Sequence, residues 1–90
     1  MNNQTFQTAV DLCKAEQSRI DDLWRDDPHY DDYKLEVEVM DDTIQIFPAK
    51  DEDLHYAKNF FYIASLLNAA IFIGTFHRND GTIVPRICIV

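Results

Sequence analysis

Apolar residues spaced three and four apart predict an amphipathic helix in the first third of the chain. Phe6, Val10 and Cys13 share one face of this segment. A threonine side chain can accept a hydrogen bond from the free amides of a first helical turn, so we expect Thr5 to cap the helix. The residue before a proline avoids helical backbone, and the helix should therefore end before Pro28.

A second helix is predicted to begin with the three consecutive acids of residues 51–53. We expect these acids to form its first turn, where the helix dipole favours negative charge. Its apolar face is wider than that of the first helix, so the second helix should be the more buried of the two. The apolar side chains of this segment are Leu54, Ala57, Phe60, Phe61, Ile63, Ala64 and Leu67.

Residues 33–39 alternate strictly between apolar and charged side chains, which is the pattern of a strand with one buried face. Asp41 and Asp42 then form a turn, and residues 43–47 return as a second strand that Pro48 ends. These features predict a β-hairpin.

A second hairpin is predicted at the end of the chain. Residues 71–78 are rich in β-branched and aromatic side chains, and Asn79, Asp80 and Gly81 are typical of a tight turn before residues 82–90. The order α-β-β-α-β-β favours an α+β fold in which two helices pack on one face of a four-stranded antiparallel sheet. Ninety residues correspond to a single domain, residues 1–90.

The last strand contains Pro85, which would remove a ladder hydrogen bond from an inner strand. We therefore expect this strand to lie at the edge of the sheet. Two interpretations of the apolar segment 87–90 stay open: an ordinary edge strand with one buried face, or an edge through which two copies form a homodimer.

The net negative charge of the chain is confined to one segment. Sixteen acids and eight bases give a formal net charge of -8. Residues 21–42, which we call the acidic segment, hold ten of those acids against Arg25 and Lys34 and so carry -8, while six acids and six bases elsewhere cancel. Such a surface disfavours direct binding to nucleic acid and favours a basic, nucleic-acid-binding protein or complex as partner. A merely solvated acidic face is the alternative.

Three aromatic residues are interleaved with the acids of this segment, a composition suited to protein contact. Acids near the end of the first helix are also disfavoured by its dipole, so local stability does not explain them. At least one of the aromatic residues should belong to the core. The residues predicted to contact a partner are Asp21, Asp22, Trp24, Asp26, Asp27, Tyr30, Asp31, Asp32, Tyr33, Glu36 and Glu38.

No catalytic motif, metal site or cofactor site is predicted from the sequence. Residues 26–32 offer oxygen and imidazole ligands but lack the glycine and spacing of a calcium loop. His55 and His77 are isolated from other candidate catalytic residues. Cys13 and Cys88 are 75 positions apart, so we expect two buried thiols rather than a disulfide scaffold.

The sequence also predicts a cytoplasmic protein that makes no membrane contact. The first residues show neither the basic nor the apolar region of a secretory signal. The longest apolar stretch, residues 60–73, is shorter than the roughly 20 residues of a membrane-spanning helix, so we interpret it as core.

The stretch from Ala9 to Ile46 resembles the first half of an acidic anti-CRISPR inhibitor of type I systems. The resemblance rests on Cys13 and Trp24 in the helix, on Tyr30 and Tyr33, and on the strand that leads to the Asp41–Asp42 turn, and it covers less than half of the chain. Anti-CRISPR proteins and other DNA mimics are made by phages and mobile elements against host defence nucleases. The resemblance implies an inhibitor, in the cytoplasm of a host cell, that occupies the basic DNA-binding groove of a CRISPR surveillance complex.

Two other functions stay open. Immunity proteins and antitoxins are also small and acidic, and they cover the basic active site of a nuclease toxin. An interaction or dimerisation module would use the strand edge at residues 87–90 instead of the acids. It predicts that substitutions in the acidic segment are harmless.

Overall fold

Three helices and four strands follow one another in the computed structural model, which describes residues 2–90. The predicted α+β class and the order α-β-β-α-β-β are confirmed, with one short additional helix, α2, before the first strand. The elements are α1 (Asn3–Trp24), α2 (Tyr30–Tyr33), β1 (Leu35–Met40), β2 (Thr43–Pro48), α3 (Ala57–Leu66), β3 (Ile71–His77) and β4 (Ile83–Ile89).

Helix α1 begins earlier than the sequence pattern predicts. The side chain of Asn2 caps it by accepting a hydrogen bond of 2.8 Å from the backbone amide of Thr5. The prediction of Thr5 as the cap is therefore wrong, because its amide is the donor in this bond and the residue lies inside the first turn. The helix ends at Trp24, before Pro28, as predicted.

Helix α3 begins later than predicted, at Ala57, and residues 51–53 belong to the preceding loop. The prediction that these acids form the first helical turn is wrong. The Asp51 carboxylate instead accepts hydrogen bonds from the amide of Glu52, at 2.7 Å, and from the ring of His55, at 2.9 Å. Aspartate competes in this way with helical backbone bonding, and Tyr56 then takes a left-handed conformation with φ of 62°.

The sheet is antiparallel, with strand order β1-β2-β4-β3. Strand β4 is thus an inner strand, and its prediction as an edge strand is wrong. Ala70 and Val90 exchange both backbone hydrogen bonds, so alternate pairs along β3 and β4 are bonded, and the pair Thr75–Pro85 is not one of them. Pro85 has no amide hydrogen, and its backbone nitrogen faces the side of β2. It lies beyond the three residues of β4 that pair with β2, residues 87–89.

The main core lies between α1, α3 and one face of the sheet. Ile44 and Ile46 of β2 and Ile87 and Ile89 of β4 alternate onto this face and are fully buried. They pack with residues from both helices, so the predicted placement of the helices on one face is confirmed. The buried helical residues of this cluster are Ala9, Val10, Cys13, Ile20, Phe60, Ile63 and Ala64.

The second face of the sheet carries a smaller apolar cluster. The rings of Phe47 and Phe76 stack with their centroids 3.9 Å apart. Val84, which pairs with Phe76 on the same face, is only 1% exposed. Glu36 and Glu38 of β1 also project from this face, because they alternate with the core residues Leu35 and Val37.

The apolar stretch of residues 60–73 is only partly core. Helix α3 buries three of its ten residues, against four of 22 in α1, so it is the more buried helix, as predicted. Yet Tyr62, Leu66, Phe72 and Ile73 are exposed. Among residues 2–90, no helix combines the length and apolar character required to cross a membrane.

Candidate acidic interaction surface

The acidic segment surrounds one edge of the sheet. It comprises the last turn of α1, the loop to α2, α2 itself, the edge strand β1 and the turn after it. At about 3.4 Å per residue, β1 is about 20 Å long and separates the side chains of Glu36 and Glu38 by about 7 Å. The acids of residues 21–32 belong to the helical end of this surface, and the two glutamates project from the open sheet face.

Gln17 holds α1 against the start of β1, which fixes the two parts of this surface relative to each other. Its side-chain amide donates a 2.7 Å hydrogen bond to the backbone carbonyl of Leu35. This bond, together with the packing of α1 on β1, sets the position of the carboxylates at the end of the helix relative to those of the strand.

Four of the predicted contact acids have partners within the protein. Asp21 accepts a hydrogen bond from the Tyr30 hydroxyl. Asp27 accepts one from the Tyr33 hydroxyl, at 2.7 Å, and this bond lowers the pKa of the Asp27 carboxyl. The other two form exposed ion pairs, Asp22 with Arg25 and Asp31 with Lys34.

The remaining acids of the segment project without a bonded partner. Within residues 2–90, no side-chain hydrogen bond or ion pair involves Asp26, Glu36, Glu38, Asp41 or Asp42. All except Glu36 are exposed, and Glu36 is half-buried. Asp32 is exposed as well, and Nδ1 of the His29 ring lies 4.0 Å from its Oδ2. These carboxylates form the part of the surface that is free to attract a basic partner.

The three predicted aromatic contacts differ in their accessibility. Tyr30 is 7% exposed and belongs to the core, which confirms the prediction that at least one of the three does. Trp24 keeps 37% exposure and lies 6.5 Å from the ring of Tyr56, measured between centroids. Tyr33 is half-buried and meets the rings of Tyr30 and His55 edge-on. Only Trp24 and Tyr33 retain ring surface for a partner.

Arg78 is a structural residue that the sequence pattern does not reveal. Its guanidinium donates hydrogen bonds to the backbone carbonyls of Pro48, at 2.9 Å, Lys50, at 3.0 Å, and Asp51. It thereby attaches the loop before α3 to the end of β3. No local sequence pattern indicates these hydrogen bonds, because the donor and acceptors are 27 to 30 positions apart in the chain.

A groove of about 600 Å³ lies between α1 and α3. Leu12, Tyr62 and Leu66 provide much of its apolar lining. Its one carboxylate, Glu16, binds Arg19 and Asn59, and these bonds lower its pKa. Among residues 2–90, no three histidine, cysteine or acidic side chains are grouped so that they could hold a metal ion.

No protein-family model matches the chain, and neither a curated protein nor a solved structure shows significant similarity to it.

Proposed function

We propose that the protein is a non-enzymatic, anti-CRISPR-like inhibitor whose acidic segment imitates nucleic acid and blocks the basic DNA-binding groove of a host defence complex. Its site of action is the cytoplasm of the host cell. The observation that carries this proposal is the segregation of charge: the whole net charge of -8 lies in residues 21–42. A surface that only kept the protein in solution would distribute its acids more evenly.

The stability of the fold accounts for only some of these acids, such as Asp21 and Asp27, which accept hydrogen bonds from tyrosine hydroxyls. The end of α1 is where the helix dipole disfavours negative charge, and Asp26 follows that end with no bonded partner among residues 2–90. Charged side chains do protect an edge strand from pairing with other chains, which is a sufficient reason for Glu36 and Glu38. It is not a reason for the aspartates of residues 21–32, which lie outside the strand.

The electrostatic consequences favour a phosphate-binding groove as the target. Clustered charges of one sign accelerate association with an oppositely charged surface, and salt weakens that effect. Duplex DNA carries one charge per about 1.7 Å of axis, so grooves that bind DNA are lined with lysine and arginine. Unpaired carboxylates along an edge of about 20 Å would meet those cations in place of phosphates.

Neutralisation of a basic nuclease toxin by an immunity protein or antitoxin is the alternative, since it requires the same surface charge. The position of the acids does not separate the two functions, so an experiment must include both kinds of target. A dimerisation module working through residues 87–90 has less support, because residues 87–89 pair with β2 on one backbone side and with β3 on the other.

The test is displacement of labelled target duplex from a purified type I CRISPR surveillance complex, measured at low and moderate salt. The informative variant is Asp26→Asn, Asp32→Asn, Glu38→Gln, which removes three exposed charges. The matched control, Asp11→Asn, Glu52→Gln, Asp53→Asn, removes three exposed charges of the same types outside the segment. Both variants change the net charge from -8 to -5.

We expect the wild-type chain to displace DNA, the first variant to be weaker by about tenfold, and the control to stay within about twofold. Equal losses in the two variants would contradict a specific acidic surface. Failure to displace DNA from the complex, together with inhibition of a basic nuclease toxin domain in a parallel assay, would replace the proposal by the immunity function. Failure against both targets would overturn both.

A further inference from the structure

Strand β3 has one free edge along its full length. Within residues 2–90, it pairs on one side with β4, from Ile71 to His77 and without a bulge, and has no neighbour on the other. Because Ala70 and Val90 exchange both hydrogen bonds, the alternate residues of β3 bond to β4. The amides and carbonyls of Ile71, Ile73, Thr75 and His77 therefore point outward, to the free side.

The two edges of the sheet differ in chemistry. Strand β1 carries Glu36 and Glu38, whereas β3 has no acid, lysine, arginine or proline in its seven residues. Phe72 is 61% exposed and Ile73 is 71% exposed. Proteins protect edge strands with charges, prolines, bulges or covering loops, and an apolar edge without them is a surface for strand addition.

We propose that β3 pairs with β3 of a second copy of this chain in an antiparallel, two-fold symmetric dimer with a continuous eight-stranded sheet. The register that uses all seven residues is centred on Gly74. It places Ile71 opposite His77 and Ile73 opposite Thr75 of the second copy, and these are the residues whose backbone groups point outward. Four bonded pairs of this kind exchange about eight hydrogen bonds, close to the roughly ten of a typical interface.

The side chains are self-complementary in that register. On the open sheet face Phe72 lies opposite Phe76 of the second copy, and aromatic cross-strand pairs stabilise antiparallel sheets. Gly74 lies at the centre, where the two backbones approach most closely. In the part of one chain that the structure describes, no contact requires glycine at this position, since a Cβ atom would lie 3.4 Å from Nη2 of Arg86, an ordinary contact distance.

The distribution of charge favours pairing of two copies through β3 over pairing through β1. Pairing through β3 places the two β1 strands at opposite ends of the sheet, seven strand spacings or about 34 Å apart. That distance is about four Debye lengths at physiological salt, so the two acidic segments hardly repel each other. Pairing through β1 would bring them together. The β3 dimer does not depend on the proposed function, and it presents two outward acidic surfaces.

The experiment is analytical ultracentrifugation of the full chain from about 1 μM to about 1 mM. The monomer mass is 10.5 kDa. The test variant, Ile73→Lys, places a charge on the exposed, apolar edge. Its control, Val39→Lys, makes the same change in charge on the other edge strand, and circular dichroism checks that both variants fold. A second variant, Thr75→Pro, removes an outward amide that makes no bond to β4.

We expect the wild-type chain and Val39→Lys to dimerise, and Ile73→Lys and Thr75→Pro to weaken dimerisation by about tenfold or more. A wild-type chain that remains monomeric at every concentration would overturn the proposal. So would a dimer that tolerates both β3 variants. A monomer whose β3 variants lose binding to another protein would instead assign the edge to a strand of that protein.

Discussion

The hydroxyl of Tyr33 donates a 2.7 Å hydrogen bond to Oδ2 of Asp27. The other carboxylate oxygen of Asp27 accepts a 2.8 Å bond from the amide of His29. The carboxylate thus joins the loop after α1 to α2. These bonds lower the pKa of Asp27, and the bond to the carboxylate is the main reason that the pKa of Tyr33 rises to about 12. Asp27 therefore has a structural role inside the acidic segment.

Because of the hydrogen bond between Tyr33 and Asp27, we expect the protein to lose stability at high pH. The ordinary pKa of tyrosine is about 10, so between about pH 10 and about pH 12 the unfolded chain loses its Tyr33 proton before the folded chain does. The free energy of unfolding should therefore fall as pH rises through this range. In Tyr33→Phe the fall should be shallower. Urea unfolding at a series of pH values measures it.

The control for this prediction is Tyr62→Phe, because Tyr62 is exposed. The dependence of its stability on alkaline pH should match that of the wild-type chain.

The hydrogen bond between Tyr33 and Asp27 acts with opposite sign in acid. Because the pKa of Asp27 is lowered, the carboxylate contributes stability above the ordinary pKa of about 3.9, and this stability is lost as pH falls through the pKa of the folded state. Identical pH profiles for Tyr33→Phe and the wild-type chain would contradict both effects.

The elements that the sequence predicts well are those encoded by neighbouring residues. Alternation identifies β1, and the tight turn after β3 is confirmed by Gly81, whose φ of 90° suits glycine. Strand order depends on which distant strands meet, and periodicity carries no information about that. Pro85 was therefore misleading, because an inner strand tolerates proline where its ladder with one neighbour has ended.

The sequence predicts the charge of the candidate site, but not which of its acids are bonded within the protein. Net charge by segment is a property of the sequence, and it marks residues 21–42. Which aspartates are engaged depends on tyrosine hydroxyls that the fold brings to them, as Tyr30 is brought to Asp21. The exposure of Ile73 could not be predicted from the sequence either, since an apolar residue on an edge strand follows the same alternating pattern as one in the core.

Arg78→Lys should destabilise the protein by about 2 kcal/mol, because lysine retains the charge but cannot bond three separate carbonyls with a planar fork. The control is Arg25→Lys, whose exposed ion pair with Asp22 should contribute within about 0.5 kcal/mol. Urea unfolding of the two variants tests this. Equal effects would show that the carbonyl contacts of Arg78 contribute little to the attachment of the loop.

The two thiols should differ sharply in reactivity. Cys13 is fully buried, and burial together with the nearby Glu16 charge raises its pKa to about 11, so little reactive thiolate forms at neutral pH. Cys88 is half-buried on the open sheet face, so the prediction that both thiols are buried is wrong for Cys88. A thiol reagent such as dithionitrobenzoate should modify Cys88 in the folded protein and Cys13 only at the rate of unfolding. Cys88→Ala identifies the fast phase, and rapid modification of Cys13 would contradict its buried position.

The unpaired acids should reduce the stability of the free protein. Like charges repel within a Debye length, so removing three of them in Asp26→Asn, Asp32→Asn, Glu38→Gln should raise the melting temperature at low salt. Added salt screens the same repulsion, and it should stabilise the wild-type chain more than this variant.

The control variant, Asp11→Asn, Glu52→Gln, Asp53→Asn, should respond to salt much as the wild-type chain does, since those acids lie outside the acidic segment. A surface retained at a cost to stability is what a binding function predicts. A variant less stable than the wild-type chain at low salt would mean that these carboxylates support the fold, and the case for a binding surface would lose its electrostatic basis.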